Sequence, residues 1–285
     1  MRVAGAPISW GVCEVPGWGH QLSPRRVLSE MRALGLSATE LGPDGFLPAD
    51  RAERDVLLEL YGLTLAGAFT PLVLHDPTHD PLAEATRALE TLPDGAVLVL
   101  AAATGLHGYD QRPALDAAAW TTLLTNLDAV ARLAADAGRT ATLHPHVGTV
   151  VETRAEVERV LDGSAVPLCL DTGHLLVGGT DPVALARAAA DRVAHVHLKD
   201  VDTALAGRVR DGRTGYTEAV AAGMYRPLGA GDVDISQIIS TLEGAGYEGW
   251  YVMEQDTVLT AEPPPGRGPR DDVRASLAHL AEAAP

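Results

Sequence analysis

Lysine and cysteine are nearly absent from this chain of 285 residues, and long hydrophobic runs are missing altogether. Lysine occurs once, at Lys199, and arginine supplies the other basic residues. The two cysteines, Cys13 and Cys169, are too few and too far apart for a disulfide framework or a CxxC zinc motif. No window reaches the roughly 18 consecutive apolar residues of a membrane-spanning helix. We therefore expect a cytoplasmic protein that neither crosses a membrane nor depends on disulfides.

The charge balance is strongly acidic. Asp and Glu number 38 against 22 for Lys and Arg, which gives a formal net charge of -16. Such a charge repels phosphate backbones and anionic lipid headgroups, so neither nucleic acid nor a membrane surface is expected as a partner. The chain also lacks the glycine-rich motifs that bind nucleotides, so nicotinamide, flavin and ATP are not expected as cofactors.

Short apolar runs alternate with helix-type runs eight times along the chain. Each apolar run is nearly continuous, as buried parallel strands are. The predicted strands cover residues 3–9, 37–42, 63–69, 96–102, 140–145, 167–171, 193–199 and 249–255. Eight βα units in fewer than 300 residues predict an α/β fold, a (β/α)8 TIM barrel that forms a single domain over residues 1–285. A doubly wound open sheet is the alternative.

Residues 200–232 form an unusually long link after the seventh predicted strand. Links of this length are often lids or binding loops. This one carries Tyr216, Tyr225 and Arg226 among glycines, and it leaves the barrel at the end where active sites lie. We expect it to act as a lid over the site. The alternative is an inserted surface helix around residues 216–223 with no role in the chemistry.

Polar side chains end four consecutive strands late in the chain. The predicted strands five to eight finish in HPH (144–146), DTGH (171–174), HLKD (197–200) and EQD (254–256). Because the carboxyl ends of barrel strands meet at one mouth, these groups should converge there. Mixed carboxylate and imidazole donors favour Mn, Co, Zn, Fe or Mg over Ca. The pattern predicts a divalent metal site.

Each of these positions also has an ordinary structural explanation. Asp171 alone could cap a helix, and Glu254 could lie on a solvated loop. Of the two histidines on the seventh strand, His197 is expected to point into the barrel and His195 to be structural. The occurrence of such groups on four consecutive units favours the functional interpretation.

Lys199 and His174 are the candidates for acid and base chemistry. A lone lysine among arginines suggests that a compact ammonium is needed, although chance retention is the alternative. Lys199 follows His197 by two residues and should share its face of the strand. His174 lies three residues past Asp171 and can act as an acid or base if the turn folds inward.

The first two units contribute candidates for substrate binding on the other side of the mouth. Glu40 ends an otherwise apolar strand, where a carboxylate can accept hydrogen bonds from the hydroxyl groups of a ligand. Trp10 and His20 come from the first unit. The alternative for Trp10 is a place in the hydrophobic core.

The motifs, taken in order, resemble a known family. LHPHVGT, LCLDTGH, HVHLKD and YVMEQD are similar to the xylose isomerase-like TIM barrels of the sugar phosphate isomerase/epimerase superfamily. Within it, PISWGVCEVPGWG, ATELGPDGFLP and HPHVGTVVET resemble the inosose dehydratases, which remove water from 2-keto-myo-inositol. The similarity spans essentially the whole chain.

The resemblance implies a metal site with ligands from strands five to eight. Asp171, His197 and Glu254 match the ligands that the superfamily takes from strands six, seven and eight. Where many members have a strand-five glutamate in Glu-Asn-His, this chain has His-Pro-His. The fourth ligand would then be His144, or Glu152 from the loop that follows. Mn or Co is the expected metal, with Mg, Zn and Fe as alternatives.

The implied function is a metal-dependent lyase of inositol catabolism. It would dehydrate an inosose or a similar keto-cyclitol through an enediolate, with Lys199 and His174 as acid and base in an order that remains open. His146 and Glu152 join Glu40 as candidates for substrate binding. A keto-sugar isomerase or epimerase on the same site is one alternative, and a non-catalytic binding barrel is another. The expected partner is a small polyol or keto-sugar, and assembly into a homo-oligomer is left open.

Overall fold

Eight parallel strands close into a barrel, and helices surround it. The protein is described by a computed structural model that covers residues 1–106 and 108–283. The barrel strands are β1 (Arg2–Gly5), β2 (Ala38–Glu40), β3 (Thr64–Leu72), β4 (Val97–Ala102), β5 (Thr140–Leu143), β6 (Leu168–Asp171), β7 (Val193–Leu198) and β8 (Trp250–Met253). Because β8 pairs with β1, from Arg2 opposite Trp250 to Gly5 opposite Met253, the sheet is closed. The predicted TIM barrel is confirmed, and the open sheet is excluded.

Helices connect the strands, and several begin directly after a serine or aspartate whose side chain caps the helix. They are α1 (Pro24–Ala33), α2 (Arg51–Leu60), α3 (Pro81–Thr91), α4 (Ala117–Asp136), α5 (Arg154–Gly163), α6 (Thr172–Val177), α7 (Pro182–Ala188), α8 (Thr203–Arg210), α9 (Tyr216–Ala221), α10 (Ile235–Gly244) and α11 (Pro269–Ala283). The carboxylate of Asp50 accepts the backbone N–H of Glu53 at 2.9 Å, which satisfies a donor at the start of α2. Gly62 takes a positive φ just after that helix, as its place in the sequence predicts. Within the described ranges, we find no helix with both the length and the apolar composition needed to span a membrane.

The interior of the barrel is apolar at one end and charged at the other. Trp250 packs with Val252 and with small residues of the first three units, including Ala4, Ala38 and Ala66. The alanines leave space for the indole, so one large side chain fills this part of the interior. Towards the carboxyl ends of the strands, the buried residues are instead imidazoles and carboxylates. The charged end marks the mouth as the functional end of the barrel.

The insertion, residues 200–232, has a folded structure of its own. Asp200–Val201 pairs antiparallel with Tyr225–Arg226, and the helices α8 and α9 lie between these two short strands. The second helix lies close to the predicted surface helix at 216–223. Its first residue, Tyr216, is nevertheless buried. The insertion therefore packs against the barrel mouth.

Asp200 anchors the base of the insertion. Its Oδ2 accepts the backbone N–H groups of Gly229 at 2.8 Å and Gly231 at 3.0 Å, and its Oδ1 accepts that of Val233 at 3.0 Å. A Cβ at Gly231 would lie 2.3 Å from Asp200 Oδ1, so only glycine fits there. This strand-end carboxylate has a structural role.

Candidate active site

The carboxyl ends of β6, β7 and β8 bring Asp171, His197 and Glu254 together. All three side chains are buried, and one ligand atom from each lies within 4.8 Å of the others. His197 Nδ1 is 3.3 Å from Glu254 Oε2 and 3.6 Å from Asp171 Oδ2. His144, directly after β5, places its Nε2 3.1 Å from Asp171 Oδ2. The predicted convergence of these four side chains is present.

Asp171 serves both of the roles that its position suggested. Its Oδ1 accepts the backbone N–H groups of Gly173 at 2.9 Å and His174 at 2.8 Å, which caps α6. The cap fixes the carboxylate so that Oδ2 faces the other polar side chains. Burial would raise the pKa of Asp171, but the Lys199 ammonium and the surrounding imidazoles outweigh it and hold the pKa well below its usual value. Asp171 is therefore an oriented anion.

Glu40, at the end of β2, binds two histidines of β7 across the barrel. Its Oε1 lies 2.9 Å from His195 Nε2 and 3.0 Å from His197 Nε2. Burial would raise the pKa of Glu40, but the two imidazoles lower it, so the group is a carboxylate. The expectation that only one of the two histidines points inward is wrong, because residues two apart on a strand share a face. Glu40, which we expected to bind substrate, does line the cavity. Its Oε1, however, already accepts hydrogen bonds from these two histidines.

Lys199 lies among three carboxylates and one imidazole. Its Nζ is 2.9 Å from Glu254 Oε2, 3.0 Å from Asp256 Oδ1 and 3.3 Å from Asp171 Oδ2. It also contacts His174 Nε2 at 3.0 Å. Burial would lower the pKa of Lys199, but the carboxylates raise it well above its usual value. The only lysine of the chain is therefore a buried ammonium at the centre of the site.

His146 and His174 stack against each other beside Lys199, with ring centroids 3.6 Å apart. His146 Nδ1 lies 2.7 Å from the carbonyl oxygen of Val147, so Nδ1 carries the ring proton and Nε2 is left as an acceptor. Burial and neighbouring positive groups lower the pKa of both imidazoles well below the usual value. His146 lines the cavity, whereas His174 lies behind Lys199.

A cavity of about 230 Å³ opens at the mouth above these groups. Its lining combines charged and imidazole groups with apolar and aromatic ones. The charged and imidazole groups are Glu14, Glu40, Asp44, His144, His146, His197, Lys199, Glu254 and Asp256. The apolar and aromatic residues include Ile8, Val12, Trp18, Phe69, Pro71, Tyr109 and Tyr216. This lining is suited to a small polar ring.

Asp256 belongs to the EQD that ends the eighth predicted strand, but it is not among the residues predicted to have a role in the site. Its Oδ1 contacts Lys199 Nζ, and its Oδ2 accepts the Tyr216 hydroxyl at 2.8 Å. Asp256 thus joins the insertion to the Lys199 ammonium. A signal was available, because Asp256 follows Glu254 by two residues and tends to share its face if the chain stays extended.

Tyr109 is a second residue that the sequence did not indicate. Its hydroxyl donates a hydrogen bond to Glu14 across the mouth, and its ring centroid lies 5.2 Å from that of His146. Tyr109 comes from an irregular loop with no periodic pattern, so nothing in the sequence placed it there. Tyr109 also packs directly against Gly148. A Cβ at position 148 would lie 2.5 Å from the Tyr109 backbone, so glycine is needed for this close approach.

Two of the predicted binding residues lie elsewhere. Trp10 is fully buried in the main hydrophobic core, and its indole N–H donates to Glu30 Oε2 at 2.9 Å. Glu152 accepts the backbone N–H of Gly148 at 2.7 Å and lies 3.3 Å from Arg112. Among the described residues, the cavity lining includes neither. Of the two candidates for the fourth ligand, His144 is the one beside Asp171. It groups with Asp171 and His174, or with Cys169 and His197, rather than with Glu254.

The donor set fits a divalent metal. His197 Nδ1 is buried and makes no hydrogen bond within the described part of the chain. Its nitrogen nevertheless faces oxygens of Asp171 and Glu254, and a lone pair directed at two carboxylates is repulsive unless a cation lies between them. A proton supplies that charge in the metal-free protein. Although burial opposes it, the neighbouring acidic groups raise the pKa of His197 well above its usual value. With the proton displaced, one imidazole and two carboxylates offer the mixed N and O donors that transition metals prefer.

The fold and the site together define the class of protein. A family model described as xylose isomerase-like TIM barrel matches residues 28–283, and the chain belongs to that family. The resemblance inferred from the motifs is thereby confirmed.

Two relatives are similar to this chain in sequence, and one solved structure is similar in fold. An inosose dehydratase of Geobacillus thermodenitrificans (strain NG80-2) is 31% identical over 269 residues, which cover 90% of each chain. The rhizopine catabolism protein MocC of Rhizobium meliloti is 36% identical over 267 residues, covering 90% of this chain and 82% of that protein. A crystal structure of the IolI protein with a binding zinc atom superimposes with a TM-score of 0.68, covering 99% of this chain and 98% of that one. At 14% identity, this last match shows likeness of fold.

Proposed function

We propose that this protein is a metal-dependent dehydratase that removes water from an inosose (2-keto-myo-inositol) or a similar keto-cyclitol. The observation that carries the proposal is the buried cluster of Asp171, His197 and Glu254, which faces a small cavity beside the Lys199 ammonium. The relative named inosose dehydratase, aligned over 90% of both chains, supports this choice of substrate. We place the enzyme in the cytoplasm and in inositol catabolism.

Four side chains would hold the metal: Asp171, His197, Glu254 and His144. Their mixed oxygen and nitrogen donors suit Mn²⁺ or Co²⁺, with Zn²⁺, Fe²⁺ and Mg²⁺ as alternatives. The solved IolI structure, which has the same fold and a binding zinc atom, supports a metal in this protein. When bound, the ion polarises the ketone and stabilises the negative charge that develops as the α-proton leaves.

The geometry supports His146 as the base. Its Nδ1 is committed to the Val147 carbonyl, and its Nε2 is left as an acceptor in a ring that lines the cavity. The α-carbon loses its proton to His146 Nε2, and the electrons of that bond form the double bond of the enediolate. His174 was expected to share this role. It lies behind Lys199, so we propose that it orients the ammonium through the 3.0 Å contact.

Lys199 would act as the acid. Its ammonium donates a proton to the β-hydroxyl as the carbon–oxygen bond breaks and water leaves. The enediolate electrons re-form the carbonyl and make a double bond between the α- and β-carbons. One turnover adds a proton to His146 and removes one from Lys199. Net return of a single proton from the imidazole to the amine therefore restores the starting state. The apolar residues of the lining exclude bulk water and strengthen these interactions.

The function is tested by loading purified protein with Mn²⁺ or Co²⁺ and incubating it with scyllo-inosose. We expect the loss of one water by mass spectrometry and the ultraviolet absorption of a diketone product. The same protein treated with a chelator is the control and should be inactive. A product of unchanged mass would instead support the isomerase or epimerase alternative. Absence of turnover with each of the five metals would support a non-catalytic barrel.

We further propose that the insertion encloses the substrate. Tyr216 lines the cavity, and its hydroxyl donates to Asp256, which contacts Lys199. Closure over the site would therefore be coupled to the orientation of the ammonium. Because Tyr216 at the start of α9 lines the cavity, we favour a lid over a surface helix with no role in the chemistry.

Limited trypsin digestion tests the lid, because Arg208, Arg210 and Arg213 offer cleavage sites in the insertion. We expect slow cleavage when metal and a substrate analogue are bound and fast cleavage in their absence. Tyr216→Phe should weaken this protection, since it removes the hydrogen bond to Asp256. Tyr247→Phe is the matched control, because it also removes one tyrosine hydrogen bond, that to the Trp250 carbonyl, but Tyr247 lies outside the insertion. Equal cleavage rates in both states, with unchanged kinetics for Tyr216→Phe, would contradict the lid.

A further inference from the structure

We propose that Glu40 is a positioning residue that binds His197 through Nε2 and so presents Nδ1 to the metal. This inference rests on the proposed metal site and adds a residue that supports one of its ligands. Glu40 Oε1 lies 3.0 Å from His197 Nε2, on the opposite side of the ring from Asp171 and Glu254. A metal-bound imidazole whose second nitrogen donates to a carboxylate is fixed in both orientation and tautomer.

The local structure of β2 and β3 places Glu40 for this contact. The strand register shifts between Thr39 and Glu40, so that Glu40 pairs with Gly67. A Cβ at Gly67 would lie 3.1 Å from Glu40 Oε1 and 3.0 Å from the backbone oxygen of Val97. The absence of a side chain at Gly67 therefore leaves the space that the carboxylate occupies. Gly67 on β3 and the register shift on β2 therefore both help to place Glu40 against His197.

His195 supplies a second donor to the same oxygen. Its Nε2 is 2.9 Å from Glu40 Oε1, and its ring centroid is 5.3 Å from that of His197. A carboxylate oxygen has lone pairs for both N–H groups, and two donors restrict it more than one does. His195 thereby fixes the carboxylate that fixes His197. This explains why a buried histidine lies one layer deeper in the barrel than the predicted ligands.

The two nitrogens of His197 consequently have different tasks. Nε2 must carry the ring proton in order to donate to Glu40, so in the neutral ring the lone pair is on Nδ1. Nδ1 is the nitrogen that faces Asp171 and Glu254 and has no hydrogen-bond partner in the described ranges. Without Glu40, the neutral ring could adopt the other tautomer or turn about its side-chain bonds. Either change removes the lone pair from the metal position.

The test measures Co²⁺ affinity on the full-length, metal-free protein by competition with a chelator. Glu40→Gln keeps an oxygen acceptor but loses the charge, and Glu40→Asp keeps the charge but loses the reach. We expect each substitution to weaken Co²⁺ binding by about 10- to 100-fold, as is typical when a supporting carboxylate is lost. The visible spectrum of bound Co²⁺ should still report the wild-type number of ligands.

Glu30→Gln is the matched control. Glu30 is as buried as Glu40 and also binds a ring N–H, that of Trp10, but it lies in the core away from the cluster. We expect its Co²⁺ affinity to remain within about twofold of wild type, even if its melting temperature falls. Circular dichroism verifies that each variant folds, and Glu40→Asp carries the test if Glu40→Gln does not fold.

Two results would overturn the inference. Wild-type affinity in a folded Glu40 variant would mean that His197 is oriented without it. Weakened binding together with a changed ligand number in the spectrum of the Co²⁺ that still binds would mean that Glu40 is itself a ligand, in the alternative group that it forms with His195 and His197. A wild-type protein that binds no metal would be a different failure, since it contradicts the proposed function as well.

Discussion

Replacing Glu254 with glutamine is expected to remove most of the bound metal and abolish turnover while the barrel stays folded. Glu254 Oε2 lies 3.3 Å from His197 Nδ1 and 2.9 Å from Lys199 Nζ, so it serves both the proposed metal and the proposed acid. A neutral amide is a weak ligand and leaves nearby positive charge uncompensated. Breaking a buried charge pair typically costs about 3–5 kcal/mol of folding stability, so the melting temperature should fall although the barrel stays folded.

Metal content after dialysis, kcat and the melting temperature measure the three parts of this expectation. Glu156→Gln is the control, because Glu156 pairs with Arg112 outside the cluster. That variant should retain its metal and its activity. Full metal occupancy in Glu254→Gln would count strongly against Glu254 as a ligand.

Replacing Lys199 with arginine should lower kcat by about 10²-fold or more, the range typical for a misplaced acid or base. The charge is kept, but the guanidinium is planar and wider than an ammonium. Lys199 has little space for such a group, since a Cβ at Gly173 would already lie 2.6 Å from Lys199 Cβ. Its compact Nζ also satisfies Asp256 and Glu254 at once, a geometry that the flat group does not reproduce.

Steady-state kinetics on metal-loaded protein separate this effect from substrate binding, because the loss should fall on kcat more than on KM. The reverse change, Arg226→Lys on the exposed edge of the insertion, is the control and should leave both constants near wild type. Near-normal turnover in Lys199→Arg would show that Lys199 is only a structural cation.

The positions of the main groups in the candidate site could be predicted because strand ends and side-chain alternation are local properties. Asp171, His197 and Glu254 each follow an apolar run, and a closed barrel brings such ends together. Lys199 follows from the same periodicity, since it shares the face of His197. From the sequence, Asp171 is either a helix cap or a metal ligand. The cap and the ligand position coexist in the structure because the two carboxylate oxygens are used separately.

Other roles depended on contacts between residues far apart in the chain. Glu40 and His197 are separated by 157 positions, and only closure of the barrel places the carboxylate against the imidazole. Trp10 and Glu152 have suitable chemistry for a binding site, but their partners Glu30 and Arg112 draw them elsewhere. Tyr109 reaches the mouth from an irregular loop, whose path no periodic pattern describes.

The barrel, the end of it that holds the candidate site and the residue types that meet there all follow from the amino-acid sequence, because hydrophobic periodicity and strand-end chemistry are properties of consecutive residues. Side-chain packing establishes which imidazole nitrogen faces the cluster, that His174 contacts Lys199 while His146 lines the cavity, and that Asp256 joins the insertion to the ammonium. These outcomes depend on distances of about 3 Å between side chains of different strands. Local patterns do not specify distances of that kind, since they follow from how the whole barrel packs.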